Sequence, residues 1–88
     1  SGGIKLIPEQ IEEKLSHGIH SRFFVGGVAD AVLGEKLVLI IEGEKLPLDE
    51  DIYSSLDKYE KPKEVFYIDK FFETENGKIK RQEMLESI

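Results

Sequence analysis

Residues 64–79 have the sequence EVFYIDKFFETENGKI, which places a strand-forming run a few residues before a turn. The run 64–69 is rich in β-branched and aromatic residues and predicts a strand. The pair Asn76-Gly77 is the strongest short-range hairpin signal, because both residue types tolerate positive φ. We therefore predict a C-terminal β-hairpin that carries Lys78 directly after its turn. This spacing alone assigns no chemistry to Lys78, since it describes any residue that follows a hairpin turn.

Three helices are predicted outside this stretch. The first begins at Pro8, whose missing N–H would be unpaired at that position anyway, and it should end at residues 16–18. Ile11 and Leu15 lie one turn apart and predict its buried face. The second begins at Asp49, a favourable N-cap. Its apolar residues at helical spacing are Ile52, Leu56 and Tyr59. The third is short and closes the chain, with Met84, Leu85 and Ile88 facing inward.

Two more strands are predicted at residues 22–25 and 36–41, where β-branched and aromatic residues are again enriched. The glycine-containing segment 26–34 separates them, and they are expected to pair as neighbours. Helices packed against a small, mostly antiparallel sheet define an α+β fold. Residues 1–88 are expected to form a single domain of this class.

Composition excludes several classes of function. The 88 residues include no cysteine, so disulfides, thiolate metal sites and thiol nucleophiles are excluded. The net charge is −6, and residues 1–57 hold five Lys/Arg against eleven Asp/Glu, which disfavours a nucleic-acid surface. The longest aliphatic run, residues 37–41, is too short to span a bilayer. We expect a cytoplasmic protein with no membrane span.

Common local motifs do not account for the sequence. Gly77-Lys78 would belong to a P-loop only if glycine stood at Phe72 and Ser or Thr at Ile79. The remaining glycines lack dinucleotide-binding spacing and are explained by turns. His17 and His20 have no carboxylate or cysteine pattern to complete a metal site. No base partner is evident for the three hydroxyl residues that could act as nucleophiles, which are Ser54, Ser55 and Thr74.

Longer motifs resemble one known family. Residues 59–69 followed by 74–81 closely resemble the end of the acyl-adenylate-forming superfamily, whose members commonly carry Tyr-Lys-x-Pro-Lys, a strand, and Thr-x-x-Gly-Lys-Ile-x-Arg. Residues 3–12 resemble its Gly-x-x-x-x-Pro-x-Glu-Ile-Glu motif, and residues 25–35 resemble its Val-x-Gly-x-Pro-Asp…Gly-Glu element. The resemblance covers essentially the whole chain, in the right order. The departures are Gln10, Ala29 and Gly2.

This resemblance implies specific roles for residues. Lys78 would be the adenylation lysine, placed against the substrate carboxylate and the α-phosphate region. Asn76 and Gly77 would support its loop, while Lys80 and Arg81 could contact phosphate or another domain. A loop containing Gly2, Gly3 and Ile4 would line the CoA passage in the thioester-forming step.

The resemblance also implies a partner and substrates. Enzymes of this family join a carboxylic acid to ATP and then, in the ligases, transfer the acyl group to CoA. The chain would be their mobile C-terminal domain, cut at the domain boundary and inactive alone. Its N-terminal adenylation domain would bind most of the ATP, Mg²⁺ and CoA, so no cofactor is expected in residues 1–88. No metal site is assigned.

The sequence fits more than one substrate and more than one class of function. The sequence of residues 1–12 is most similar to that of the bacterial o-succinylbenzoate CoA ligases of menaquinone biosynthesis, although another acid CoA ligase or adenylation enzyme would also fit. A different class of function is a free-standing interaction module whose acidic first half docks a basic partner. The sequence upstream of Ser1 would discriminate between the ligase and the module.

Overall fold

A computed structural model describes residues 5–88 of the chain. The chain forms a small sheet with a helix packed on each of its faces. The elements are α1 (Pro8–Leu15), β1 (Phe23–Asp30), β2 (Gly34–Glu42), a 3₁₀-helix (Glu50–Tyr53), β3 (Glu64–Ile68) and α2 (Arg81–Glu86).

The three strands form one sheet in the order β1-β2-β3. The longer pairing, β1 with β2, is antiparallel and runs from Phe23 opposite Ile41 to Asp30 opposite Gly34. The shorter pairing, β2 with β3, is parallel. A parallel neighbour needs a long crossover, which residues 43–63 provide. The α+β class with a mostly antiparallel sheet is confirmed.

Both faces of the sheet carry buried residues. Alternate residues of β2 point to opposite faces, so β2 contributes to the core on each side. One face packs against α1, and its fully or nearly buried members are Ile11, Leu15, Ile19, Val25, Leu39 and Ile41. The other face packs against α2, and its members are Phe24, Val38, Ile40, Phe71 and Met84. The predicted buried stripe of the first helix is therefore confirmed, and β2 is the centre of the fold.

The strand predicted at residues 22–25 is longer than expected. β1 continues to Asp30, so the glycines lie in a strand and not in a loop. The physical reason is close packing. A Cβ placed on Gly26 would lie 2.6 Å from a Leu85 methyl carbon, so the missing side chain lets α2 approach the sheet.

The second predicted helix is wrong in extent. Asp49 is its N-cap, as predicted, and accepts a hydrogen bond from the Asp51 N–H at 2.9 Å. The helix is a single 3₁₀ turn that ends before Ser54. A new turn follows, because the Asp57 carboxylate accepts the Tyr59 N–H at 3.0 Å and the Glu60 N–H at 3.1 Å. Side chains that bond nearby backbone in this way compete with helix.

Two apolar residues of the predicted second and third helices are exposed, although Ile88 is predicted to face inward. Tyr59 is 48% exposed, because the chain has already left the helix that would have buried it. Ile88 is 43% exposed, because α2 ends at Glu86, two residues earlier. Met84 is fully buried as predicted, and Leu85 is half-buried against the same cluster.

Glu60 ties the turn at residues 57–60 to α1. Its Oε1 accepts hydrogen bonds from Lys14 Nζ at 2.8 Å and from the Asp57 N–H at 3.1 Å. The Lys14 ammonium, followed by the Asp57 N–H, holds the pKa of Glu60 below its usual value. The crossover between β2 and β3 therefore has a charged attachment to the first helix.

This attachment predicts a pH-dependent stability. Because the pKa of Glu60 is lower in the folded state, its ionised form stabilises the fold above the unfolded-state pKa of about 4.3, and this contribution is lost as the pH falls through the folded-state pKa. Glu60→Gln should reduce the free energy of unfolding at pH 7, and the difference from wild type should shrink below pH ~4. Urea unfolding across this pH range measures it, with the exposed Glu44→Gln as control. A difference that stays constant with pH would contradict the assignment.

Candidate functional site

Residues 72–80 form the hairpin that carries Lys78. The Thr74 N–H donates to the Lys78 carbonyl at 2.8 Å, and the Lys80 N–H donates to the Phe72 carbonyl at 2.9 Å. Glu73 and Ile79 form an antiparallel bridge between these two bonds. The predicted C-terminal hairpin is confirmed, and Lys78 lies at its exposed end.

The turn uses one left-handed residue, although Asn76 and Gly77 both tolerate positive φ. The Gly77 N–H donates to the Thr74 carbonyl at 2.9 Å, and Gly77 has φ +82°. No non-glycine residue among residues 5–88 has positive φ, so Asn76 adopts an ordinary conformation. A turn followed by one left-handed glycine is the usual three-residue hairpin loop. Asn76 and Gly77 therefore contribute to the loop in different ways.

This difference predicts unequal effects of two alanine substitutions. Gly77→Ala should destabilise the hairpin by about 1–2 kcal/mol, because a left-handed conformation costs an L-residue that much. No atom lies within 4 Å of the added Cβ, so the cost is one of backbone conformation. Asn76→Ala should stay within about 0.5 kcal/mol, as for most exposed sites. If Gly77→Ala and Asn76→Ala reduced the hydrogen-exchange protection of the Lys80 amide equally, this description of the turn would be contradicted.

Thr74 supports Lys78 in a way that sequence analysis missed. Its Oγ1 accepts the Lys78 N–H at 3.1 Å, so its side chain helps to close the loop. Its position four residues before Lys78, in the Thr-x-x-Gly-Lys pattern, was the available signal.

The Lys78 side chain is exposed. No carboxylate among residues 5–88 lies within 4.0 Å of its ammonium, whereas several other lysines of the chain are ion-paired. The ammonium is thus presented to an incoming anion by a hydrogen-bonded loop. Two open grooves, of about 550 and 480 Å³, lie elsewhere on the described surface and Lys78 lines neither.

The structure places Lys80 and Arg81 differently from Lys78. Arg81 donates to Glu12 on α1, at 2.7 and 3.4 Å, and its guanidinium carbon lies 5.4 Å from the Phe24 ring centroid. Lys80 Nζ lies 4.0 Å from Glu83. Arg81 therefore joins α2 to the first helix and the sheet. A phosphate or domain contact by either residue stays a prediction.

The predicted thioester-step residues Gly2, Gly3 and Ile4 lie outside the described residues. Their assignment stays a prediction. Within residues 5–88, no group of three or more His, Cys, Asp or Glu side chains is arranged to hold a metal ion. Neither helix in that range is long and apolar enough to cross a membrane.

Solved structures that share this fold include acyl-CoA synthetases. An AMP-forming acyl-CoA synthetase/AMP-acid ligase II-like protein from Dyadobacter fermentans superposes with a TM-score of 0.84 and 32% identity over 99% of this chain. A fatty acyl CoA synthetase from Mycobacterium tuberculosis has a TM-score of 0.79 and 26% identity over 99% of it. Apo MatB from Rhodopseudomonas palustris has a TM-score of 0.79 and 26% identity over 98% of it.

The chain has the fold of a part of the AMP-forming acyl-CoA synthetases. It spans 28%, 18% and 19% of the length of these three synthetase and MatB chains, respectively. No protein-family model matches the sequence, and no curated protein does. The synthetase likeness therefore comes from three-dimensional structure and agrees with the motif resemblance in the sequence.

Proposed function

We propose that this chain is the mobile C-terminal domain of an ATP-dependent, AMP-forming acyl-CoA ligase, and that Lys78 is its adenylation lysine. The observation that carries the proposal is an exposed ammonium, without an ion-pair partner among residues 5–88, on a hydrogen-bonded hairpin. This hairpin belongs to a fold that matches an AMP-forming synthetase over 99% of the chain.

The proposed role follows from the charges of the reaction. In adenylation the carboxylate attacks the α-phosphorus of ATP and pyrophosphate leaves, so two anionic groups must approach one another. A preorganised ammonium stabilises the charge that develops on the phosphoryl oxygens, and it does so without reorganising during the reaction. The hairpin fixes the Lys78 backbone from which the ammonium reaches out, because the Lys78 carbonyl accepts the Thr74 N–H and the Lys78 N–H donates to Thr74 Oγ1.

The proposal assigns the rest of the site to an N-terminal adenylation domain. Lys78 is exposed, and it lines neither of the two grooves described above. ATP, the acid and CoA would then bind largely to that domain, where Mg²⁺ would neutralise phosphate charge. Isolated residues 1–88 should accordingly be inactive. In the second step, the loop containing Gly2, Gly3 and Ile4 would line the passage for CoA, where glycine allows a close backbone approach.

The narrower proposal is an o-succinylbenzoate CoA ligase of menaquinone biosynthesis acting in the cytoplasm. It is supported by the similarity of the sequence of residues 1–12 to these ligases, and a chain without cysteine is compatible with a reducing cytosol. The acyl pocket would lie in the N-terminal domain, so the choice of acid depends on residues beyond this chain.

Two observations test the proposal. The gene should encode, upstream of Ser1 and in frame, a domain with a phosphate-binding Ser/Thr/Gly-rich motif. The full product should release pyrophosphate from ATP only when a carboxylic acid is present, and o-succinylbenzoate should be the preferred acid. A start codon immediately upstream of Ser1 would contradict the ligase and favour the free-standing module.

A further inference from the structure

Four side chains stack in a row beneath the Lys78 hairpin. The rings of Phe24 and Phe71 meet edge to face, with their centroids 5.5 Å apart and their planes at 73°. The Arg22 guanidinium lies 5.4 Å from the Phe71 centroid, and that of Arg81 lies 5.4 Å from the Phe24 centroid. We call this row, Arg22-Phe71-Phe24-Arg81, the Arg-Phe stack.

The Arg-Phe stack contacts both ends of the hairpin. Phe71 immediately precedes the hairpin residues 72–80, and Arg81 immediately follows them. Phe24 and Arg22 belong to the sheet side, at β1 and just before it. Both ends of the loop that carries Lys78 are therefore attached to one cluster, whose two phenyl rings are buried.

Carboxylates hold the Arg22 end of the stack. Glu42 accepts from Arg22 at 3.2 and 2.7 Å and also accepts the Phe71 N–H at 2.8 Å. Glu73 lies on the hairpin itself, and its Oε2 is 2.5 Å from Nη1, the third nitrogen of the Arg22 guanidinium. The Arg22 guanidinium, followed by the Phe71 N–H, holds the pKa of Glu42 below its usual value, so Glu42 stays charged at neutral pH. Arg22 thus links the hairpin to the end of β2.

We infer that Arg22 is a positioning residue for Lys78 and acts through Glu73 to hold the hairpin against the Arg-Phe stack. The inference rests on the proposed function, because positioning matters to catalysis only if Lys78 acts in adenylation. Glu42 holds the Arg22 guanidinium by two parallel bonds, which fix its direction as well as its distance and so aim its remaining nitrogen at Glu73. A small displacement of a catalytic group can cost a large factor in rate.

The most selective perturbation is Glu73→Gln. Substituting Arg22 would leave Glu42 without its main partner and disturb Phe71, so a loss of activity would be ambiguous. Glu73→Gln removes one charge on the hairpin and leaves the Arg22–Glu42 pair in place. The matched control is Glu75→Gln, which removes the same charge two residues along. Glu75 forms no ion pair within residues 5–88.

The first measurement is amide hydrogen exchange of the chain itself. Glu73→Gln should raise the exchange rates of the Thr74 and Lys80 amides about two- to fivefold, as expected for loss of a partly exposed ion pair. Amides of β2 should not change, and the effect should shrink in about 1 M NaCl because salt screens the pair. Unchanged hairpin amides, or an equal increase throughout β2, would overturn the inference.

The second measurement separates positioning from folding in the intact ligase. Glu73→Gln should lower kcat for pyrophosphate release about three- to tenfold, leave KM for ATP unchanged, and leave thioester formation from supplied acyl-adenylate unchanged. Glu75→Gln should match wild type. If adenylation by Glu73→Gln is normal while Lys78→Ala is slow, Arg22 does not position Lys78. If Lys78→Ala itself is normal, the proposed function fails, and the positioning role falls with it.

Discussion

Replacing Lys78 with alanine is expected to slow adenylation by about 10²–10³-fold in the intact ligase, the usual cost of removing one preorganised charge-stabilising donor. The Lys78 side chain is exposed and forms no ion pair with the described residues, so its removal should leave the fold nearly unchanged. Exposed substitutions of this kind usually alter the free energy of unfolding by less than about 0.5 kcal/mol. The loss should therefore appear in the chemical step and not in stability.

Measuring the two half-reactions separately gives the sharpest test of Lys78. Pyrophosphate release reports adenylation, and thioester formation from supplied acyl-adenylate reports the second step, which should continue in Lys78→Ala. Lys45→Ala is the matched control, because Lys45 is an exposed lysine on the 43–49 loop. It should behave as wild type in both assays. Adenylation by Lys78→Ala at the wild-type rate would refute the assigned role.

Replacing Phe24 with alanine is expected to destabilise the domain by about 3–5 kcal/mol, the usual cost of deleting a buried phenyl group. Phe24 is 0% exposed, and it contacts Phe71 as well as the Arg81 guanidinium. A domain of 88 residues is expected to have only about 4–13 kcal/mol of stability in total. The substitution would thus remove from about a quarter to all of that stability.

Urea unfolding followed by circular dichroism measures this effect. Phe72→Ala is the matched control, since its neighbouring phenyl ring is 45% exposed and should cost only about 1 kcal/mol. Phe24→Ala should also loosen the Lys78 hairpin before global unfolding, because both ends of the hairpin rest on the Arg-Phe stack. Similar losses in the free energy of unfolding for Phe24→Ala and Phe72→Ala would show that the cluster between the sheet and α2 does not support the fold as described.

Sequence patterns predicted the elements whose signals are local. Pro8 with Ile11 and Leu15 predicted the first helix, and Asn76-Gly77 predicted the hairpin that positions Lys78. Asp49 predicted a cap but not the length of its helix, because the competing turn at Asp57 depends on where the chain goes next. Gly26 suggested a loop, since its compatibility with a strand depends on Leu85 packing over it.

The sequence by itself determined the α+β class, the hairpin and the lysine at its end, because these follow from residue preferences over a few positions. Only the tertiary structure decided the parallel pairing of β3, the partner of Arg81 and the attachment of the hairpin. Glu12 and Arg81 are 69 residues apart in the chain, and Arg22 and Glu73 are 51 apart, as the difference of their residue numbers gives. Contacts between such distant residues arise only when the sheet and helices pack, so no local pattern encodes the support beneath Lys78.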